Sequence, residues 1–200
     1  MCIRDRKCRR SDDRLFNMLL KHNIHKILKT DFPREFTERH VCFTNTTRKN
    51  VNEIMMDKYA KKARHNKSQV LELPALKFSE QSQDVKLTAG TPLIGRKNMK
   101  GMDLFNNEMW IITKINTKDQ TITIKEDVKA EGDEPIRVKD IDFEKVQDLF
   151  NPAWCITIHK SQGSTFDDHP YTVHEFDKLC HRLKYVALSR ATDIKHIRVW

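Results

Sequence analysis

Two hundred residues can bury a core and fit one domain, or one domain with a small insert. Hydrophobic residues make up 38% and charged residues 32%, and no apolar run approaches the roughly 20 residues that span a bilayer; the basic start MCIRDRKCRR also lacks the apolar segment of a secretory signal. The net charge of +9 is uneven, with 18 Lys/Arg against 8 Asp/Glu in residues 1–70, 12 against 14 in 71–145 and 7 against 6 in 146–200. A basic first third favours a polyanionic partner such as nucleic acid, although a merely solvated basic face has the same composition.

In chain order, residues 12–29 carry Leu15, Met18, Leu19, Ile24, Ile27 and Leu28 near helical spacing, which predicts a helix capped by Ser11 or Asp12 and closed before Pro33. HVCFT (40–44) reads as a short buried strand broken by Asn45 and Thr46, and a helix is predicted from Thr47 to about Lys62. Strand, polar turn, helix is the unit of an α/β fold. Residues 63–83 hold Pro74 and much polar sequence and read as a linker. From Asp84 the pattern changes to short strand candidates, VKLTAG, TPLIG, EMWIITKI, QTITIK and PIRVKDI, separated by turn residues, as in a small barrel or meander. After Pro152 the α/β pattern returns: AWCITIH and YTVHEF as strands, residues 176–191 as a helix with Leu179, Leu183, Val186 and Leu188 inward, and HIRVW as a last strand.

The five cysteines, Cys2, Cys8, Cys42, Cys155 and Cys180, are odd in number and contain no Cys-x-x-Cys pair. This points to a reducing, intracellular compartment rather than a disulfide framework. His174, Cys180 and His181 have no second pair at zinc-site spacing, so no metal site is expected.

Two stretches carry chemistry. In ITIHKSQGST (156–165) an alternating strand runs directly into a loop of hydrogen-bonding side chains. Open α/β sheets bind ligands at the carboxyl ends of their strands. A glycine there, Gly163, lets backbone N–H groups approach an anion. Hydroxyls from Thr157, Ser161 and Ser164, the Lys160 cation, the Gln162 amide and His159 suit a phosphate backbone or a nucleotide. A polar surface turn is the competing reading. In YVALSRAT (185–192) a packed helix ends at Arg190 among small residues. A helix-terminal arginine can simply complement the dipole, or it can serve as an arginine finger on a transferring phosphoryl group.

ITIHKSQGSTFD and YVALSRAT strongly resemble motifs V and VI of superfamily 1 helicases, in the RecD/Dda-like branch, in the right order and at a fitting separation. HVCFTNTTRKNVNEIM resembles the earlier strand–turn–helix of the same domain, RRSDDRLFNML the segment before it, and LTAGTPLIGRKN…LFNNEMWIITKI the SH3-like insert of that branch. The resemblance runs from about Lys7 to Trp200 and identifies the C-terminal half of such a helicase. It implies an α/β fold: a RecA-like domain of P-loop NTPase type, the second motor domain, interrupted by a small SH3-like β-barrel. Residues 1–83 would form its first part, 84–145 the insert and 146–200 the remainder.

By position, the resemblance implies that Arg190 is the arginine finger and that Arg9 or Arg10 is a second nucleotide-facing arginine. Gly163 and Gln162 would lie near the nucleotide cleft. Thr157, His159, Lys160, Ser161, Thr44 and Asn45 would contact single-stranded DNA, and Arg96 of the insert, with Lys97, Asn98 and Asn107, would wall its channel. ATP and Mg²⁺ would be held mainly by an N-terminal RecA-like domain, because no Gly-x-x-x-x-Gly-Lys-[Ser/Thr] occurs in this sequence. The expected whole is a monomeric, ATP-dependent DNA helicase of 5′ to 3′ polarity, of which this half is inactive alone. The alternatives are a non-catalytic nucleic-acid-binding module and an RNA helicase fragment. MCIRDRK resembles a translated sequencing-adaptor remnant, so residues 1–7 are expected to be non-native and disordered.

Overall fold

The computed structural model describes residues 12–20, 23–80, 82–127, 136–164, 166 and 169–200. Residues 1–7, with their expected disorder, and the candidates Arg9 and Arg10 lie outside the described residues. In chain order the elements are α1 (Asp13–Leu19), β1 (Arg39–Cys42), α2 (Asn45–His65), β2 (Leu71–Leu73), β3 (Val85–Leu87), β4 (Pro92–Gly95), β5 (Met109–Asn116), β6 (Thr121–Glu126), β7 (Val138–Asp142), α3 (Phe143–Leu149), β8 (Phe150–Pro152), β9 (Cys155–Thr157), β10 (Tyr171–Val173), α4 (His181–Leu188) and β11 (Ile197–Val199). The described residues divide into two compact units, one formed by the chain up to Arg48 with Cys155–Trp200, the other by Lys49–Trp154. The boundaries 84 and 145 read from sequence enclose β3 to β7, whereas the second unit extends beyond both.

The first unit holds a four-stranded, all-parallel sheet in the order β11-β10-β1-β9. Its strands are short and apolar because both faces are covered: Val41, Cys42, Cys155, Ile156, Tyr171, Val173, Ile197 and Val199 are all buried. The Tyr171 hydroxyl donates to the carbonyl of Ala187 at 2.7 Å, tying β10 to the end of α4.

Two long helices read from periodicity are shorter here. The helix predicted over 12–29 stops at Leu19. Asp12 caps its start, accepting from the N–H of Arg14 at 2.8 Å. At its end the Asn23 side chain donates to the carbonyl of Asn17 at 2.8 Å, taking an acceptor that another helical turn would need. Two single 3₁₀ turns, Ile24–Lys26 and Lys29–Asp31, then bring Ile24 and Ile27 into the core. The helix predicted over 176–191 becomes a 3₁₀ turn, Phe176–Lys178, an extended pair at Leu179 and Cys180, and α4. The extended pair lets Phe176 and Leu179 be buried independently of the helix, with Cys180 left exposed.

The second unit holds a five-stranded antiparallel sheet in the order β7-β6-β5-β4-β8. Trp110, Ile112, Ile122, Ile124 and Ile141 are fully buried on it. The register of β5 on β6 shifts between Ile112 and Lys114, and this bulge returns Ile115 to the buried side after an odd step. Pro152 sits in β8, an edge strand, where a missing N–H is tolerated. The stretch 63–83, read as a linker, contains the end of α2 and the strand β2, which pairs antiparallel with β3. Its Leu-Glu-Leu alternation is too short to outweigh Pro74 and the polar flanks in a sequence reading. In α2 the inward residues are Val51, Met55, Met56, Ala60 and Ala63, while Ile54 is exposed. None of the described helices is long and apolar enough to cross a membrane.

Candidate nucleic-acid and nucleotide interface

Because the four strands of the first unit are parallel, their carboxyl ends lie at one edge. That edge gathers the loop after β9, the turn from β1 into α2, and His174–Glu175 after β10.

The loop after β9 is a hydrogen-bonded coil. Ile158 N–H extends the ladder to Cys42 O at 2.8 Å, Ser161 N–H donates to Thr157 O at 3.0 Å and Ser164 N–H to Ser161 O at 3.1 Å. The Thr157 hydroxyl accepts from Lys160 N–H at 3.4 Å. Gly163 has φ +95, a left-handed conformation that L side chains rarely adopt, and an added Cβ would meet nothing within 4 Å. Backbone conformation and not crowding therefore requires glycine there. His159, Gln162 and Gly163 are exposed, and Thr157 and Lys160 are half-buried. Ser161, expected to meet a nucleic-acid strand, is instead fully buried, and its hydroxyl donates to the carbonyl of Ile158 at 2.8 Å. Its role is to close the turn.

Arg190 follows α4 and reaches this loop. Its Nη1 donates to the carbonyl of Ser164 at 2.8 Å and to that of Ser161 at 3.2 Å, its Nε to Val186 O at 3.0 Å, and its Nη2 to the Ser189 hydroxyl at 2.9 Å. The backbone adds Phe166 N–H to Arg190 O at 2.8 Å. The two stretches singled out by sequence are thus joined through one guanidinium.

At the neighbouring strand end, Glu175 fixes the β1–α2 turn. One carboxylate oxygen accepts from Phe43 N–H at 3.1 Å and Thr44 N–H at 2.9 Å, and the Thr44 hydroxyl lies 3.1 and 3.2 Å from the two oxygens. Burial alone would raise its pKa; hydrogen bonds from Thr44 N–H, from the Thr47 and Thr44 hydroxyls and from Lys178 outweigh that and hold the carboxyl below its usual value. Asn45 is exposed, and its side-chain oxygen accepts from Arg48 Nε at 3.2 Å. Beneath Glu175, His174 Nε2 and His40 Nδ1 are 3.1 Å apart in the core, with the Phe36 ring 4.2 Å from that of His40. Burial pushes His174 down to about 4, against a smaller opposing pull from Glu175. Sequence reasoning passed over Glu175; its signal is an acidic residue placed just after the apolar strand YTV.

Arg96 belongs to the second unit. It donates to the Ser79 hydroxyl at 2.8 Å and to the carbonyl of Gln147, and its N–H donates to Leu149 O at 2.8 Å. Those bonds tie β4 to α3. Among the described residues no group of three His, Cys, Asp or Glu side chains is arranged to hold a metal ion. Cys42 and Cys155 are buried free thiols, and burial, with Cys42 beside it, pushes Cys155 up.

No family model matches the chain, and no curated protein sequence matches it at a significant level. Solved structures do. A structure described as two coordinating Pif1 helicases unwinding forked double-stranded DNA matches with a TM-score of 0.69 and 21% identity, over 96% of this chain and 48% of that one. Bacteroides Pif1 bound to single-stranded DNA matches with a TM-score of 0.67 and 19% identity, over 96% and 50%. Bacteroides Pif1 in complex with ADP-AlF3 and single-stranded DNA matches with a TM-score of 0.54 and 20% identity, again over 96% and 50%. The chain spans about half the length of the solved structures it matches. The mixed α/β architecture, with its parallel and antiparallel sheets, is thus the fold of about half of a Pif1 helicase, in keeping with the fold that the motif resemblance implied.

Proposed function

We propose that this chain is one motor half of an ATP-driven helicase, gripping single-stranded DNA at the carboxyl edge of its parallel sheet and presenting Arg190 to a nucleotide held by a second RecA-like domain. The fold likeness supports the class, since the matched proteins include Pif1 structures with single-stranded DNA and with ADP-AlF3. The observation that carries the reading is the Arg190 guanidinium bonded to the carbonyls of Ser161 and Ser164.

These acceptors are neutral. A charged phosphoryl oxygen is a stronger one, with charge-assisted bonds roughly twice as strong as neutral pairs. Arg190 is permanently charged, so it exchanges one set of acceptors for the other without a proton step. In its loop-bound state it braces residues 161–164. In its nucleotide-bound state it stabilises developing charge and releases that brace. The loop carries His159 and Lys160, so the exchange alters the grip on the strand. The nucleotide supplies the transferring phosphoryl group; this chain supplies the charge and the coupling.

The test is Arg190→Ala in the protein encoded by the complete gene, with DNA-stimulated ATP hydrolysis and single-strand affinity measured together. Hydrolysis should fall on the order of 10³-fold or more, the range for an arginine finger. Affinity should weaken by less than about tenfold, because one brace and no phosphate contact is removed. Unchanged hydrolysis overturns the assignment.

A further inference from the structure

Thr44 was expected to touch the DNA, yet its N–H and its hydroxyl are both engaged by Glu175. The same carboxylate takes the N–H of Phe43. The Glu175 side chain is only 11% exposed, and Lys178 approaches it at 3.4 Å. Its backbone is left-handed at φ 57 and ψ 32, a conformation an L-residue keeps only where its surroundings over-determine it. Here they do: strand β10 fixes one side and four acceptor contacts fix the other.

The turn presents other groups outward. Phe43 is 36% exposed at the strand end, beside an otherwise polar turn. Flat aromatic rings at such positions stack on nucleic-acid bases without regard to sequence. Asn45 is exposed, and with its oxygen accepting from Arg48, its amide N–H groups are the donors it has for a phosphate oxygen.

We propose that Glu175 is a positioning residue for single-stranded nucleic acid: it holds the Phe43–Asn45 turn so that the Phe43 ring and the Asn45 amide, rather than Thr44, face the strand. This rests on the single-strand reading above. The carboxylate takes the donors of Phe43 and Thr44, so the strand meets a preformed edge instead of ordering it on arrival. Preformed geometry removes an entropic cost from binding. Thr44 acts as the link between carboxylate and turn, not as a contact.

The experiment uses the 200-residue chain with Glu175→Ala, Glu175→Gln and Phe43→Ala. Amide hydrogen exchange is followed at Phe43 and Thr44, and binding of a fluorescent oligo-dT is followed by anisotropy. In Glu175→Ala, exchange at Phe43 and Thr44 should accelerate at least about tenfold, while Tyr171–Val173 keep their protection. Affinity should fall about five- to a hundredfold, the range for losing one stacked base. Glu175→Gln keeps one acceptor oxygen and should lie between. Phe43→Ala should lose affinity while Thr44 exchange stays as in the parent. Equal binding by Glu175→Ala beside a parent that binds overturns the inference alone, and so does tighter binding, which would make the carboxylate a competitor of phosphate. A parent chain that does not bind oligo-dT overturns the single-strand reading itself, and this inference with it. Should Glu175→Ala fail to fold, Glu175→Gln and Phe43→Ala replace it on the same two readouts, and parent-like affinity in both overturns the inference.

Discussion

The two units differ in what their most heavily bonded charged groups hold. In the antiparallel unit the densest polar cluster closes on itself: Arg137 donates to Glu126 through Nε at 2.8 Å and Nη2 at 2.5 Å, to Glu108 at 2.7 Å and to Asp103 at 3.3 Å, and lies 5.1 Å from the Trp110 ring centroid. Lys86 with Asp57, Lys97 with Asp148 and Lys145 with Asp142 repeat the pattern. The parallel unit also has ion pairs, Arg198 with Glu35, Lys195 with Asp193 and Lys178 with Glu175, but at the site two charged groups bond to loop backbone: Arg190 to the carbonyls of Ser161 and Ser164, Glu175 to the N–H groups of Phe43 and Thr44. Charges neutralised by side chains build a scaffold. Charges spent on loop backbone set the shape of segments that meet a ligand, and the functional residues are accordingly sought in the parallel unit.

Acid separates the two most strongly. His174 is held at about 4, against an ordinary 6.5, by burial in the parallel unit, with Glu175 and His40 facing it. Between those values the unfolded chain binds a proton that the folded chain refuses, so stability rises with pH across that window. Lowering pH from 6.5 to 4 should cost about 3 kcal/mol from this group, at 1.36 kcal/mol per pH unit. Glu126, in the antiparallel unit, is shifted down from 4.5, chiefly by its hydrogen bond from Arg137. Its contribution is complete above 4.5 and is lost only as pH falls through its lower folded value. Hydrogen exchange recorded between pH 6.5 and 4.5 should therefore show β10 losing protection before β6. His174→Phe should abolish that slope, and a slope that survives the substitution breaks the contrast.

A smaller effect sharpens it from the other side. Arg137→Ala should destabilise the antiparallel unit by about 2 kcal/mol, below the roughly 3–5 of a fully buried pair because the side chain keeps 26% exposure. Single-strand affinity should not change. Lys97→Ala, which removes a surface pair, should move stability by less than about 1 kcal/mol in thermal melts. A loss of affinity with Arg137→Ala would show that the antiparallel unit takes part in binding.

Most strands of the two larger sheets were legible because alternation and β-branched runs survive in short segments such as CIT and TITIK, whereas β8, Phe-Asn-Pro, has neither and was not read as a strand. The joining of 156–164 to 185–190 was not legible, since nothing local to Arg190 names Ser161 and Ser164 as its acceptors. The helix over 176–191 misled because Leu179, Leu183 and Val186 keep helical spacing across a break made by the extended backbone of Leu179 and Cys180. Ser161 misled in the same way: a hydroxyl in a polar loop has the same composition whether it faces solvent or closes a turn. Glu175 stayed hidden because its partners lie more than 130 positions away.

Titration of the 200-residue chain with oligo-dT across salt tests the central claim, that the carboxyl edge of the parallel sheet grips a single strand by its phosphates. Binding should weaken linearly on logarithmic axes as salt rises, with a slope lowered by about 0.7 when Lys160 becomes Ala. Absence of binding at low salt, or a slope unaltered by Lys160→Ala, would contradict it.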